Sequence, residues 1–420
     1  MARSTRQVAC RLTTVRRDVE TTFLRWAFLR ALFHRGYVLV SGLYFVVAAH
    51  LSAFQLVVLG ATVAVTLLMS DVPTGVWSDT ISRKWPLVTG HLFLGAGMLM
   101  TGVVTAFPLI LITQVLWGLG WGFSSGADVA WVTDEFDQTD RIDRVLTARA
   151  RWELAGGATG MVGFGLLGWA TSLAAAIVVS GMAMGLLGLS VAVWFREQNF
   201  TPTHEPRWTA SLSIFHRGLK LARNDDEILL MLAATMIING ASMTAWLFPK
   251  QLINLGFPGN TVLWYTALGI LSAAFGALSL HIVEAHIDGA GVARRVYALT
   301  CFAGVLGLVV LGYAPSALVG SVGVLLVSGI TFNITRTVSV IWVNRRTTSD
   351  VRTTVHSFLG QAESSGEIVG GVALALFAHV AGIPATLMFS AALIALTGVI
   401  VARSDADHGP AAATQAGPTG

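Results

Sequence analysis

The stretch DVPTGVWSDTISRKW, residues 71–85, lies between two long apolar segments, 54–70 and 86–107. Two membrane spans joined this closely must be antiparallel neighbours. Gly75 permits close helix approach, Asp79 can accept hydrogen bonds at a helix start, and Arg83 and Lys84 place positive charge at a membrane edge. A solvated turn explains the basic pair alone, but the full spacing Gly-x-x-x-Asp-x-x-x-Arg-Lys indicates a specific element between the second and third spans.

The composition indicates a polytopic membrane protein. Of the 420 residues, 54% are hydrophobic and 12% charged, whereas soluble domains average about 25% charged residues. The lipid bilayer is therefore a predicted partner. The net charge of +4 comes from cations beside the apolar segments, which indicates membrane topology and no nucleic-acid partner. Cys10 and Cys301 are too few for a disulfide framework.

Apolar runs long enough to span a bilayer recur in two groups of six. The sequence therefore predicts an all-α membrane protein with twelve transmembrane helices in two six-helix halves. The predicted spans lie near 26–49, 54–74, 86–106, 109–131, 151–170, 173–194, 227–249, 260–283, 296–313, 317–342, 354–380 and 383–402. The predicted parts are a tail at 1–22, a first half at 23–195, a linker with an amphipathic helix at 196–225, a second half at 226–402 and a disordered tail at 403–420.

The positive-inside rule sets the predicted orientation. With a cytoplasmic N-terminus, the Lys and Arg residues between spans fall on the cytoplasmic side, and the opposite side holds only Lys250. We therefore expect a multi-pass protein of the cell membrane with both termini cytoplasmic.

At this point the chain resembles a transporter of the major facilitator superfamily, in particular its bacterial drug-efflux-like members. Gly75, Asp79, Arg83 and Lys84 match the family's motif between the second and third spans, and residues 71–74 match an acidic-x-Pro-Thr lead. The resemblance implies alternating access, with this motif acting as a gating latch. It implies Asp128 as the acidic partner of the motif, with Asp134 as the alternative.

Two other family motifs are only partly matched. Gln114 stands where the family's fourth-span motif has an arginine often implicated in proton coupling. The glycine-rich fifth span resembles the antiporter motif without its proline. A weak internal repeat also places Asp288 at the position of Asp79 in the second half.

Ionisable residues within the spans are the best pointers to function, because each costs about 2.5–3.5 kcal/mol at the bilayer centre. Glu363 and Glu367 are four residues apart and share one helix face. We expect Arg336 or Arg35 to pair with one of them along an aqueous path. Glu367, being deeper, is the first choice for a proton site and Glu363 the second; the alternative is a permanent salt bridge with no role in transport.

Other polar and aromatic residues within the spans are candidates for the lining of a cavity. They are Gln114, Trp117, Asn239, Asn333 and Gln361. We expect no metal and no cofactor, because the histidines lack ligand spacing and no phosphate-binding loop occurs.

The sequence therefore predicts a secondary transporter, not an enzyme, that exports a small, fairly apolar or amphipathic organic compound by proton antiport. We expect a monomer with a small-molecule substrate and protons as its partners. One alternative is a proton symporter or uniporter that imports a metabolite. Another is a transport-inactive membrane sensor or partner-binding protein, which the missing arginine at Gln114 leaves open.

Overall fold

The fold is described from a computed structural model, over residues 2–136, 139–202, 226–286, 290–346 and 349–403. Within these ranges the regular structure is entirely helical. Three predictions fall at least partly outside them. These are the amphipathic helix of the linker (203–225 are not described), the tail beyond Arg403, and the repeat position Asp288.

Helices follow one another with short connections. The first half contains α1 (Ala2–Val47), α2 (Ala53–Thr80), α3 (Lys84–Thr101), α4 (Phe107–Ser124), α5 (Ala127–Glu135), α6 (Thr139–Ala170) and α7 (Leu173–Trp194). The second half contains α8 (Asp226–Ser242), α9 (Phe248–Leu255), α10 (Thr261–His286), α11 (Ala290–Tyr313), α12 (Ala317–Val324), α13 (Phe332–Arg346) and α14 (Ser349–Arg403).

Several of these helices continue into one another, and we call each continuous helical span a rod. A left-handed glycine, Gly126, separates α4 from α5, and a 3₁₀ segment, Met243–Leu247, joins α8 to α9. A π-helical segment, Leu325–Thr331, joins α12 to α13. Conversely, α14 consists of two rods, because the backbone at Gly382 is not helical. Its φ of 79° is a conformation that residues with a side chain disfavour. Over the described ranges the result is the predicted arrangement of twelve rods in two halves of six.

In the part of the chain that the structure describes, eight segments are long and apolar enough to cross a membrane by length and composition alone. The last of them, Phe358–Arg403, contains two rods, and α1, α3 and α6 supply the remaining three. Arg30 and Arg35 reduce the apolar character of α1, and the apolar part of α6 begins at Glu153 and is rich in glycine.

The stretch that decides the fold is more helical than the sequence suggests. It was expected to join two spans, but α2 continues through Gly75 and Asp79 to Thr80. The turn is limited to residues 81–83, and α3 starts at Lys84. Pro73 lies inside α2, where Thr74 donates hydrogen bonds to the carbonyls of Ser70 at 2.8 Å and Gly122 at 3.0 Å. The motif is therefore the rigid end of a helix.

The two halves meet at one end of the bundle, which we call the far end because it lies opposite the start of α1 and the end of α14. Lys250 donates a hydrogen bond from Nζ to the Leu51 carbonyl at 2.6 Å. Gly60 lies under the indole of Trp246, so closely that a Cβ there would collide with the ring. These contacts join the first rod pair to the seventh rod and close the far end.

Candidate functional site

An ionic cluster occupies the other end of the first half. Arg83, on the turn after α2, pairs with Asp79 one helical turn earlier. Its Nε also lies 3.1 Å from Oδ2 of Asp134 on α5. The acidic partner of Arg83 is therefore Asp134, the alternative candidate, and not Asp128.

Asp128 belongs to a second ionic network, six residues earlier on the same helix. Its Oδ2 lies 3.2 Å from Nη1 of Arg30 and 2.7 Å from Nη2 of Arg149. The Arg30 guanidinium also stacks over the ring of Trp121 at 4.7 Å. Asp128 therefore ties α1 and α6 to α5 instead of completing the Arg83 cluster.

Glu197, just after α7, is a member of the Arg83 cluster that sequence reasoning missed. Its carboxylate accepts a hydrogen bond from the Ser82 hydroxyl at 2.6 Å and from the Lys84 backbone N–H at 3.3 Å. It also accepts from the Arg83 backbone N–H. An anion at the start of α3 satisfies exposed donors and complements the helix dipole. Its only sequence signal was a carboxylate directly after the sixth span.

The remaining motif residues lie close by. The Lys84 ammonium sits 5.6 Å from the centre of the Trp85 ring, and Gly75 is half-buried on α2. All the ion-pair partners of Arg83 found among the described residues belong to the first half. In this conformation the motif braces one half at its end.

A second set of ionisable residues lies in the second half, on α13 and α14. Arg336 Nη2 lies 3.1 Å from Oε2 of Glu363, with the Arg336 side chain 71% exposed and that of Glu363 18% exposed. Glu367 is half-buried one turn farther along α14, and no ion pair or hydrogen bond joins its side chain to a described residue. Among the described residues, Glu363 is thus a paired carboxylate, whereas Glu367 makes no ion pair or side-chain hydrogen bond.

The helical position of Glu367 places it at the seam between the halves. Gly366 and Gly370 pack on α8, whereas Gly371 packs on Ala61 of α2. At about 100° per residue, Glu367 points between these two contacts. It therefore borders the space between the halves on the side of this contact away from the far end, and we call this space the gap.

Arg35 borders the same gap from the first half. Gly42, seven residues later on the same face of α1, packs against Pro249 and Tyr265 of the second half. Arg35 is exposed, so its side chain is not covered by the second half at its level. The expected pairing of Arg35 with Glu363 or Glu367 is not made in this conformation.

Two of the predicted cavity residues pack between α1 and α4. The ring of Trp117 stacks on His34 at 5.6 Å between centres, and Trp121 meets His34 edge-on at 4.8 Å. Gln114 is buried, and its amide donates to the Thr113 hydroxyl at 3.2 Å. The Nε1 atoms of Trp117 and Trp121 and the Nε2 atom of His34 are buried without a hydrogen-bond partner among the described residues.

The other cavity candidates face elsewhere. Asn239 donates to the Thr235 carbonyl at 2.8 Å, and Asn333 donates to the Ser328 carbonyl at 2.8 Å in the π segment. Both amides therefore stabilise their own helices. Gln361 is exposed and lies about 160° round α14 from Glu363, away from the gap.

A groove of about 850 Å³ lies between α2, α4 and α14. It lies on the opposite face of α2 from Gly60, since Thr62 and Met69 line it. The hydroxyl groups of Thr62 and Thr66 donate hydrogen bonds to backbone carbonyls at 2.8 Å. The lining of the groove is therefore largely apolar.

The described residues contain no group of three or more His, Cys, Asp or Glu side chains placed to hold a metal ion. What the fold and site define is a membrane protein of two six-helix halves with ionisable side chains from both halves at their seam. The family model described as Major Facilitator Superfamily matches residues 27–370. The chain belongs to that superfamily, whose members are membrane transporters and not enzymes.

Solved structures with the same fold are distant in sequence. The nucleoside transporter NupG matches with a TM-score of 0.74 and 12% identity, covering 91% of this chain and 98% of its own. A bacterial homolog of the human lysosomal transporter Spinster, inward-facing and occupied, matches at 0.70 and 11%, covering 91% and 95%. A D-xylose–proton symporter matches at 0.67 and 12%, covering 91% and 97%. No curated protein sequence matches the chain.

Proposed function

We propose that the protein is a secondary active transporter that exports a small, apolar or amphipathic organic compound in exchange for protons. The observation that carries the proposal is Glu367, a carboxylate without an ion pair among the described residues, at the seam between two halves that meet at the far end. A carboxylate in such a gap can take up a proton from one side and release it to the other as access alternates. Glu363, held by Arg336, is the second candidate.

The direction of transport is proposed from the resemblance to drug-efflux-like members of the superfamily and rests on no single residue. Import by proton symport is the second candidate, favoured by the similar fold of the D-xylose–proton symporter. Orientation in the cell membrane, with both termini cytoplasmic, is part of the proposal and rests on the positions of the cations.

Inside-out membrane vesicles with an imposed pH gradient test the function. A panel of compounds graded in hydrophobicity is offered outside, with vesicles lacking the protein as the control. Accumulation that collapses when the gradient is dissipated supports proton-coupled export. Accumulation that is indifferent to the gradient contradicts antiport, and gradient-driven uptake only in right-side-out vesicles establishes the import alternative.

The cluster of Asp79, Arg83, Asp134 and Glu197 is proposed to act as a gating latch that holds the end of the first half in shape while the halves rock. Asp79→Asn removes the charge that holds Arg83. We expect turnover to fall at least several-fold with substrate affinity within twofold of wild type, because no residue of the cluster borders the gap. Glu153→Gln, which alters a half-buried pair with Arg149 outside the cluster, is the matched control. Lost affinity with normal turnover would argue against the latch.

A further inference from the structure

We propose that Arg35 is the anion-binding group of the transport site and that the substrate is a small organic anion, an aromatic carboxylate in its simplest form. The inference deepens the proposed function and rests on it. It names the charge of the substrate, which the apolar composition of the spans leaves open.

The depth of Arg35 is the first argument. It lies about 18 Å along α1 from the last helical residue, Val47, at about 1.5 Å per residue. The hydrocarbon core of a bilayer is about 30 Å thick, so Arg35 sits near its middle. Substrate sites of transporters built from repeats lie near that level. A guanidinium there is costly and calls for a partner.

The surroundings of Arg35 are the second argument. It shares a helix face with Gly42, which touches the second half, yet it is itself exposed to the gap. Within the described residues Arg35 makes no ion pair or side-chain hydrogen bond, whereas Arg30, five residues earlier, is paired with Asp128. Nothing in the described protein neutralises this cation in the present conformation.

The way in which Arg35 is held is the third argument. Its alkyl stem runs over Gly157 of α6, where an added Cβ would lie 3.1 Å from the Arg35 Cγ. The missing side chain at Gly157 leaves room for the first part of the stem, which therefore runs along α6. The planar guanidinium group of an arginine can bind a carboxylate through two parallel hydrogen bonds.

The residues next to Arg35 indicate that the proposed anion carries an aromatic ring. The side chain next to Arg35 in sequence, His34, stacks on Trp117 and meets Trp121 edge-on. The Nε1 atoms of Trp117 and Trp121 and the Nε2 atom of His34 are buried without a hydrogen-bond partner among the described residues. Half-buried aromatic rings near a cation suit a flat apolar ligand with one negative end.

The test measures binding by the purified protein in nanodiscs, so that it does not depend on transport. The probes are benzoate, 1-naphthoate and indole-3-acetate, each compared with its primary amide. We expect wild type to bind at least one carboxylate tenfold more tightly than its amide. Arg35→Gln should abolish this preference and leave amide affinity unchanged, and Arg35→Lys should restore part of it.

Arg25→Gln, which removes an exposed cation ten residues earlier on the same helix, is the matched control and should keep the preference. No carboxylate preference in wild type, or a preference that survives Arg35→Gln, overturns the proposal. Recovery of transport by the charge swap Arg35→Glu with Glu367→Arg would also overturn it, because Arg35 would then serve as a gate partner of Glu367.

Failure of the inference and failure of the proposed function give different results. Carboxylate binding through Arg35 without gradient-driven transport in vesicles would support the anion site and contradict the proposed transport function. Gradient-driven transport of neutral or cationic compounds that is unaltered by Arg35→Gln would support the proposed transport function and contradict the anion site.

Discussion

Asp128→Asn is expected to destabilise the protein by about 3–5 kcal/mol, the cost of removing one partner from a buried charge pair. The Asp128 side chain is 4% exposed and that of Arg30 8% exposed. The isosteric amide keeps the shape of the site but leaves Arg30 without a negative charge on its guanidinium. Arg149 retains Glu153 at 2.9 Å, so the loss falls mainly on Arg30.

The measurement is the thermal midpoint of the detergent-solubilised protein, followed by the loss of its monodisperse peak on gel filtration. The matched control is Asp134→Asn, the same substitution on the same short helix. Its carboxylate is 29% exposed and pairs with Arg83, so we expect a cost below about 1 kcal/mol. Equal midpoints for the two variants would show that Asp128 does not hold a buried network.

Glu367→Gln is expected to reduce proton-driven transport to a tenth of wild type or less. Glutamine keeps the size of the side chain but cannot exchange a proton, and Glu367 has no partner among the described residues whose loss would disturb the fold. Substrate exchange across the membrane without a gradient moves no net proton, so we expect it to persist. The measurements are gradient-driven accumulation and counterflow in the same proteoliposomes.

Glu363→Gln is the control for Glu367→Gln, since it alters the neighbouring carboxylate on the same helix face. Its partner Arg336 is 71% exposed and remains hydrated when the pair is lost. We expect Glu363→Gln to retain most of the coupled transport. Full gradient-driven accumulation by Glu367→Gln would remove the proton-site assignment, and loss in Glu363→Gln alone would transfer it to the paired carboxylate.

The fold was predictable because membrane spans are set by length and apolar character, which are local properties of the sequence. The twelve rods follow from this, as does the placement of the basic motif at the end of α2. The structure of the motif itself was not predictable, because the apolar run ends near Ser70 whereas the helix continues to Thr80. Polarity marks where a helix leaves the membrane and does not mark where it ends.

The partners of the charged residues were less predictable, because they depend on helix rotation. Asp128 and Asp134 are six residues apart on α5 and point in directions about 120° apart, so only one can face Arg83. Gly126 resets the rotation of α5 relative to α4, and no periodicity records that reset. Glu197 lies more than a hundred residues from Arg83 in sequence and reaches it only because α7 ends beside the start of α3.

The π-helical segment Leu325–Thr331 has a consequence for how this chain tolerates insertions and deletions. Bonds from residue i to i+5 place more residues in each turn than an α-helix does, so the segment acts as an added residue in the tenth rod. Every position after it is offset by about 100° relative to an unbroken helix. Arg336 faces Glu363 with that offset in place, so deletion of a single codon within the segment would turn the guanidinium away from its partner without changing either residue.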